Sequence, residues 1–134
     1  MTPTKQKHLV LILAREFAAH IASPFFLVDA EGTLVYYNER AEKILGLRFA
    51  EAGELSAEEW GAKWKPEDLE HGRIPLAELP LAVAMLRKRP AHRPLRITGS
   101  DGVQRIIEIT AFPLFPKEDE FVGAIAIFWE REAK

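Results

Sequence analysis

The segment 23–46, SPFFLVDAEGTLVYYNERAEKILG, constrains the fold more than any other part of the chain. It reads as strand, tight turn, strand, and then a helix with no linker between them. Phe25, Phe26, Leu27 and Val28 form a short apolar run of strand formers. Glu31 and Gly32 supply the turn, because glycine tolerates positive φ without a steric penalty. Thr33, Leu34, Val35, Tyr36 and Tyr37 make a second β-rich run. Asn38 fits a helix N-cap, Ala41, Ile44 and Leu45 follow at helical spacing, and Gly46 fits the stop. A hairpin that feeds a short helix builds one wall of a cup. That architecture suits a small sensing or docking domain better than a metabolic enzyme.

The rest of the chain extends this pattern. Residues 5–22 contain no Gly or Pro and predict a helix ending before Pro24. Leu9, Leu13, Phe17 and Ile21 form one row on it, and Val10, Leu11 and Ile12 carry the apolar surface around the cylinder. A helix apolar on more than one side is buried on more than one side, and a second subunit is the simple source of the extra cover. Residues 47–74 are acidic and weakly periodic, which predicts short helices and loops. Within them Ser56 and Glu59 have the form of a capping box, and Trp60 and Trp64 are spaced to share a helix face. A clearer helix is predicted over 79–89, with Pro80 at its first position, Leu81, Ala84, Met85 and Leu86 on its buried stripe, and Pro90 as its end.

Three strands are predicted to close the chain, over 93–98, 103–114 and 121–130. The turn Gly99-Ser100-Asp101-Gly102 is a strong hairpin signal, and 117–120 is a charged hairpin tip. Ile107, Ile109 and Ala111 point to one face, and Ile106, Thr110 and Phe112 to the other. In the last strand Ile125, Ile127 and Trp129 oppose Ala124, Ala126 and Phe128. A sheet with one wet face alternates apolar and polar residues, so this one needs cover on both faces. The strands at the two ends of the chain are expected to meet in one five-stranded antiparallel sheet, because two strands alone are marginal.

Composition narrows the function. The 134 residues fit one domain with a real core, and 48% hydrophobic against 28% charged is the profile of a soluble globular protein. The net charge of -2 supplies no field toward nucleic acid or an acidic membrane. The absence of cysteine excludes disulfides, thiolate nucleophiles and cysteinyl cofactor adducts. The apolar run 9–14 is too short for a signal peptide and far below the ~20 residues of a membrane span. The mature protein is therefore expected to start at or near Met1, in the cytoplasm.

With these elements in order, the chain resembles a PAS domain over roughly 23–130. The resemblance is carried by FFLVDAEGTLVYYN, with Asp29, Gly32 and Asn38 at family-typical places, by IPLAELPLAVAMLRKRP, by ITGSDGVQRIIEITAFPLF, and by VGAIAIFWERE. It implies an α+β fold, PAS-like, with a five-stranded antiparallel sheet, short helices on one face and an N-terminal flanking helix. Residues 1–22 are the flanking, dimerising helix, 23–130 the sensor domain and 131–134 a tail. The family implies a sensory or protein-interaction module of the bacterial type, one that binds a small molecule between sheet and helices or docks a partner. Such modules often dimerise through a helix before the first strand and serve a kinase, cyclase or regulator. At this length the chain is expected to be either a free-standing regulator or a piece of something longer.

Candidate pocket residues, chosen for their inward faces, are Phe26, Val28, Asn38, Ile44, Trp60, Trp64, Met85, Ile107 and Ile109. The two tryptophans would stack on a planar ligand or, more blandly, cap the core beneath a loop. Candidate dimer-interface residues are Leu9, Leu13, Phe17, Ile21, Ile106, Phe112 and Trp129. The cofactor stays open: a cysteinyl flavin adduct is impossible, non-covalent flavin is allowed, and haem is disfavoured. His8, His20, His71 and His92 read as surface histidines, and none of them share a metal-site spacing. Arg87, Lys88, Arg89, Arg93 and Arg96 cluster around His92 without interleaved aromatics, which favours docking of an acidic surface over nucleic acid. No catalytic constellation stands out, and Asp29 and Glu31 read as caps of the hairpin. The expected function is a non-catalytic signalling module that relays ligand or partner binding through its terminal helices. It would form a homodimer, with no nucleic-acid or membrane partner. The alternatives are a haem- or flavin-binding sensor and, in a different class, a small cavity enzyme acting on an apolar ligand.

Overall fold

The fold was analysed in a computed structural model that describes residues 4–131, with side chains from Leu9 onward. In chain order the elements are α1 (Thr4–His20), β1 (Phe25–Asp29), β2 (Leu34–Tyr37), α2 (Glu39–Leu45), α3 (Phe49–Ala52), α4 (Ala57–Lys63), β3 (Glu67–Asp68), β4 (Gly72–Arg73), a 3-10 turn (Leu76–Glu78), α5 (Pro80–Arg87), β5 (Ala91–Thr98), β6 (Gln104–Leu114) and β7 (Gly123–Glu130). Every named strand pairing is antiparallel, and the sheet order is β2-β1-β7-β6-β5-β3-β4. First and last strands meet at the centre, as β1 lies beside β7 from Phe25 opposite Ile127 to Asp29 opposite Gly123.

The expected five strands become seven, which corrects the strand count. The two additions, β3 and β4, are two residues each and extend the sheet beyond β5 through the pairing of Glu67 with Arg96. Their sequences, Glu67-Asp68 and Gly72-Arg73, lack apolar alternation and carry no strand signal. They exist because β5 presents a free edge for them to pair with.

Local signals explain the joints. Asp29 Oδ1 accepts from the backbone N–H of Glu31 and of Thr33, both at 3.0 Å, which shapes the first hairpin. The capping box forms as the sequence predicts, with Ser56 and Glu59 bonding each other's backbone N–H. Gly46 ends α2 in the left-handed region at φ +70°, and its N–H donates to Glu42. Gly123 permits the closest approach in the sheet: a Cβ there would lie 2.2 Å from the Val28 carbonyl oxygen.

The sheet divides two apolar clusters. On the inner face Phe26, Val28, Ile107, Ala111, Ala126 and Phe128 pack against residues of α2, α4 and α5. On the outer face Phe25, Leu27 and Ile125 pack against Leu11 and Ala18 of α1. The apolar alternation of β6 and β7 is thus covered on the inner face and only in part on the outer, where Trp129 stays 45% exposed. The helical row that reaches the sheet is Leu11, Ala14, Ala18 and Ile21. The row Leu9, Leu13, Phe17 stays outside, and Ile21 belongs with the packed row rather than with it. Of the tail expected at 131–134, only Arg131 falls within the described residues.

Candidate functional site

On the inner face a cavity of about 80 Å³ lies between the sheet and the helices and opens in part to solvent. Its floor is β1, β5, β6 and β7, through Phe26, Leu95, Ile107, Ile109, Ala126 and Phe128. Its walls are Leu45 at the end of α2, Trp60 and Trp64 around α4, and Leu79, Pro80 and Leu81 at the start of α5. Ile97 and Pro66 complete it.

Aromatic rings set its shape. Phe26 stacks on Tyr37 with centroids 5.6 Å apart, and meets Trp60, Trp64 and Phe128 edge to face at 6.4, 5.9 and 6.1 Å. Such geometry places each ring's positive edge on its neighbour's negative face. The polar ends of these rings find partners in the protein. Trp60 Nε1 donates to the Gly32 carbonyl at 2.8 Å, Trp64 Nε1 to Ser100 Oγ at 3.1 Å, and the Tyr37 hydroxyl to the Leu47 carbonyl at 2.7 Å. Burial pushes the Tyr37 hydroxyl pKa well above its ordinary value, with the Glu42 and Glu51 carboxylates adding to the effect, so it remains a protonated donor.

Of the nine residues singled out for a pocket, Phe26, Trp60, Trp64, Ile107 and Ile109 line the cavity. Val28 is buried on the same face but outside the lining. Ile44 packs half-buried against the core, and the lining position on α2 is its neighbour Leu45. On α5 the inward face is Leu81, Ala82 and Ala84, and Met85 is half-buried near Gly32. Leu86, expected on the buried stripe, is exposed because it lies on the opposite side of the helix from Leu81 and Ala84. Sequence reasoning had already placed Leu81 on the buried stripe of that helix. The alternation puts Ala126 and Phe128 on one face of the last strand without saying that this face is the inner one, and Leu95 carries no pocket signal; their place in the lining depends on how the strands register.

Asn38 has a different place. It is buried, and all of its side-chain bonds stay within the protein. Oδ1 accepts from the N–H of Phe25 and of Ala41, both at 3.1 Å. Nδ2 donates to the carbonyls of Ala18 at 3.0 Å and Ser23 at 2.9 Å. One amide therefore caps α2, holds the start of β1 and anchors the end of α1. The cap was legible in the sequence; the link to α1 was not.

A second polar cluster lies on the outer face. Glu108 Oε2 accepts from Arg131 Nε and Nη2 at 3.0 and 2.6 Å, and its Oε1 lies 3.0 Å from His92 Nε2. His92 Nδ1 lies 2.7 Å from Thr110 Oγ1, and its ring is 6.1 Å from that of Trp129. The hydrogen bonds from Arg131 are the largest cause holding the Glu108 carboxyl below its ordinary pKa. The basic run around His92 is dispersed: Arg93 pairs with Asp68 at 2.9 Å, Arg96 lies 3.7 Å from Glu67, and Lys88 Nζ sits over the Phe121 ring. His71 is exposed beside Glu70, and His20 is exposed at the end of α1. None of these three histidines borders the cavity. Among the described residues no three His, Cys, Asp or Glu side chains are grouped to hold a metal ion, and no helix is long and apolar enough to cross a membrane.

A five-strand antiparallel core with its first and last strands paired, helices closing one face and a flanking helix on the other, defines a class of small α+β domains. The family model for the PAS domain matches residues 22–130, and the chain belongs to that family. Solved structures agree on the fold. The PAS domain of BvgS from Bordetella pertussis is 16% identical, with 93% of this chain and 88% of that one covered at a TM-score of 0.59. The PAS domain of nitrogen regulation protein NR(II) from Vibrio parahaemolyticus is 14% identical, with 89% and 98% covered at 0.60. The LOV domain of a blue-light activated histidine kinase from Erythrobacter litoralis is 16% identical, with 83% and 97% covered at 0.63. No curated protein matches the sequence.

Proposed function

We propose that this chain is a non-catalytic cytoplasmic signalling module, in which occupancy of the inner cavity or docking of a partner is relayed to the segments before β1 and after β7. The observation that carries the reading is where the cavity sits. Phe26 and Phe128 line it from two adjacent strands, and each strand leads directly to a terminal segment. Phe25, next to Phe26, shares Asn38 with the end of α1. Beyond β7, Arg131 is clamped by Glu108. A shift of the Phe26 or Phe128 ring thus moves backbone that is hydrogen-bonded to both exits. The domain division into a flanking helix at 1–22 and a sensor at 23–130 follows the same logic. Hydrogen exchange tests the relay. Ligand or partner binding slows exchange in wild-type α1, and Asn38→Ala removes that response while the sheet stays protected. A response of α1 that survives Asn38→Ala breaks the proposed route.

The same reading makes the protein a homodimer. Leu9, Leu13 and Phe17 are 56, 60 and 61% exposed on the free side of α1, and Trp129 is 45% exposed on the outer face. Ile106 and Phe112 are half-buried beside it, and Ile21 is half-buried under α1. Each exposed large side chain forgoes roughly 1.5–3 kcal/mol of burial, and a two-fold interface recovers it in both copies. Leu13→Glu with Phe17→Glu yields a folded monomer by light scattering. A wild-type protein monomeric at tens of micromolar overturns the assembly.

A further inference from the structure

We propose that the inner cavity selects an uncharged, apolar molecule smaller than benzene and without hydrogen-bonding groups, such as a light hydrocarbon or a dissolved apolar gas. The inference rests on the ligand-responsive reading above and names the chemistry of its ligand. Three observations carry it.

The first is the wall chemistry. Every residue lining the cavity has an apolar side chain or is a tryptophan, and both tryptophan N–H groups are committed to Gly32 and Ser100. Among the described residues no buried side-chain nitrogen or oxygen lacks a partner. A ligand hydroxyl, carboxylate or amide would therefore lose its water and find no side-chain partner, an uncompensated desolvation. The second is size. About 80 Å³ is well short of the ~150 Å³ of an apolar cavity that holds benzene, and shorter still of the ~300–1,000 Å³ of sites for drug-sized ligands. The third is the rigidity of the walls. Phe26 is held by four aromatic neighbours at once, so a planar ligand cannot enter without unstacking them. Water is a poor competitor, because it needs two to four polar partners that these side chains do not offer. An apolar occupant gains contact with the lining atoms that the void otherwise forfeits.

Xenon is the direct probe, since it is apolar, small and without hydrogen-bonding capacity. Methyl NMR of the full chain under xenon pressure should show saturable shifts at Leu81, Ile107 and Ile109, with the exposed Leu86 and Val103 unmoved. Ala126→Val adds two methyl groups on the inner face of β7 and should weaken the xenon response at least ~10-fold, in a protein whose other resonances keep their dispersion. Leu81→Ala should enlarge the void toward the ~150 Å³ that admits benzene, giving a thermal stabilisation by benzene that wild type lacks. Phenol and acetate should shift neither protein's cavity methyls.

No saturable xenon response in folded wild type overturns the proposal, as does wild-type binding of phenol, flavin or haem. The wild-type measurement stands even if Leu81→Ala fails to fold. A xenon response that leaves α1 exchange and oligomeric state unchanged supports the ligand class and overturns the relay of cavity occupancy to α1. An absent xenon response with α1 still answering to a partner protein overturns the ligand class and leaves the sensory reading standing.

Discussion

The two faces of the sheet both carry large apolar residues and reach different ends. The inner face closes within the chain: Phe26, Trp60, Trp64 and Phe128 are all buried, and their polar atoms are paired. The outer face closes only where α1 lies across Phe25, Leu27 and Ile125. Beyond that strip it keeps Trp129 in solvent beside the His92–Glu108–Arg131 cluster, and α1 itself holds Leu9, Leu13 and Phe17 in solvent on its free side. The same alternating strands therefore build a core on one side and an unfinished surface on the other. What differs is the supply of helices: α2, α4 and α5 pack on the inner face, and α1 alone on the outer.

The largest expected contrast is between two phenylalanines. Phe26→Ala should lower the unfolding free energy by about 3–5 kcal/mol in urea titrations, because it empties the hub of the aromatic cluster. Phe17→Ala at low protein concentration should change it by no more than about 0.5 kcal/mol, being exposed in the single chain. Equal losses at the two sites would erase the distinction between the faces.

Asn38→Ala comes next, at about 2–3 kcal/mol, since it removes the partner of four backbone groups, three of them between the end of α1 and the start of β1. Exchange at the end of α1 should rise more than exchange in β6. If both rise alike, Asn38 supports the whole fold and not the junction. Trp60→Phe should then cost about 1–2 kcal/mol in the same titration, by leaving the buried Gly32 carbonyl without its donor.

The smallest effect concerns ionic rims. The hydrogen bond from Arg93 is the main cause holding the Asp68 carboxyl at about 2, below its ordinary 3.8. A folded pKa below the unfolded one means stability that is present above the unfolded value and lost as pH falls through the folded one. Urea midpoints should therefore decline between about pH 4 and 2 in wild type, with a shallower decline in Asp68→Asn. Glu108 on the outer face has the same sign, and Glu108→Gln should flatten the acid limb in the same direction. A variant slope equal to that of wild type would show that neither pair forms in solution.

Much of this was readable along the chain. The hairpin of β1 and β2, the Asn38 cap, the Gly46 stop and the Ser56 capping box are local, and their residues are neighbours in sequence. The two-faced apolar pattern of β6 and β7 was equally visible, because a strand's period of two assigns each side chain to a face. The cavity was half visible. Trp60, Ile107 and Ile109 announce themselves by size and alternation, whereas the choice of Leu45 over Ile44 depends on the rotation of a short helix by a single residue, and that of Leu81 over Met85 on which turn of the helix lies over the cavity. On a helix of seven or eight residues, periodicity defines that rotation only coarsely.

By itself the sequence determined the elements, their order, the apolar demand of both sheet faces and the absence of any thiol chemistry. These follow from backbone propensity, side-chain period and residue inventory, which need no partner to act. Only the tertiary structure decided that β3 and β4 join the sheet at β5, that Asn38 reaches back to Ala18, that Leu11 rather than Leu13 faces the sheet, and that the cavity is small and without a free polar group. Each of these depends on groups many residues apart meeting at ångström precision. Packing and hydrogen bonding resolve that distance, and a linear pattern does not.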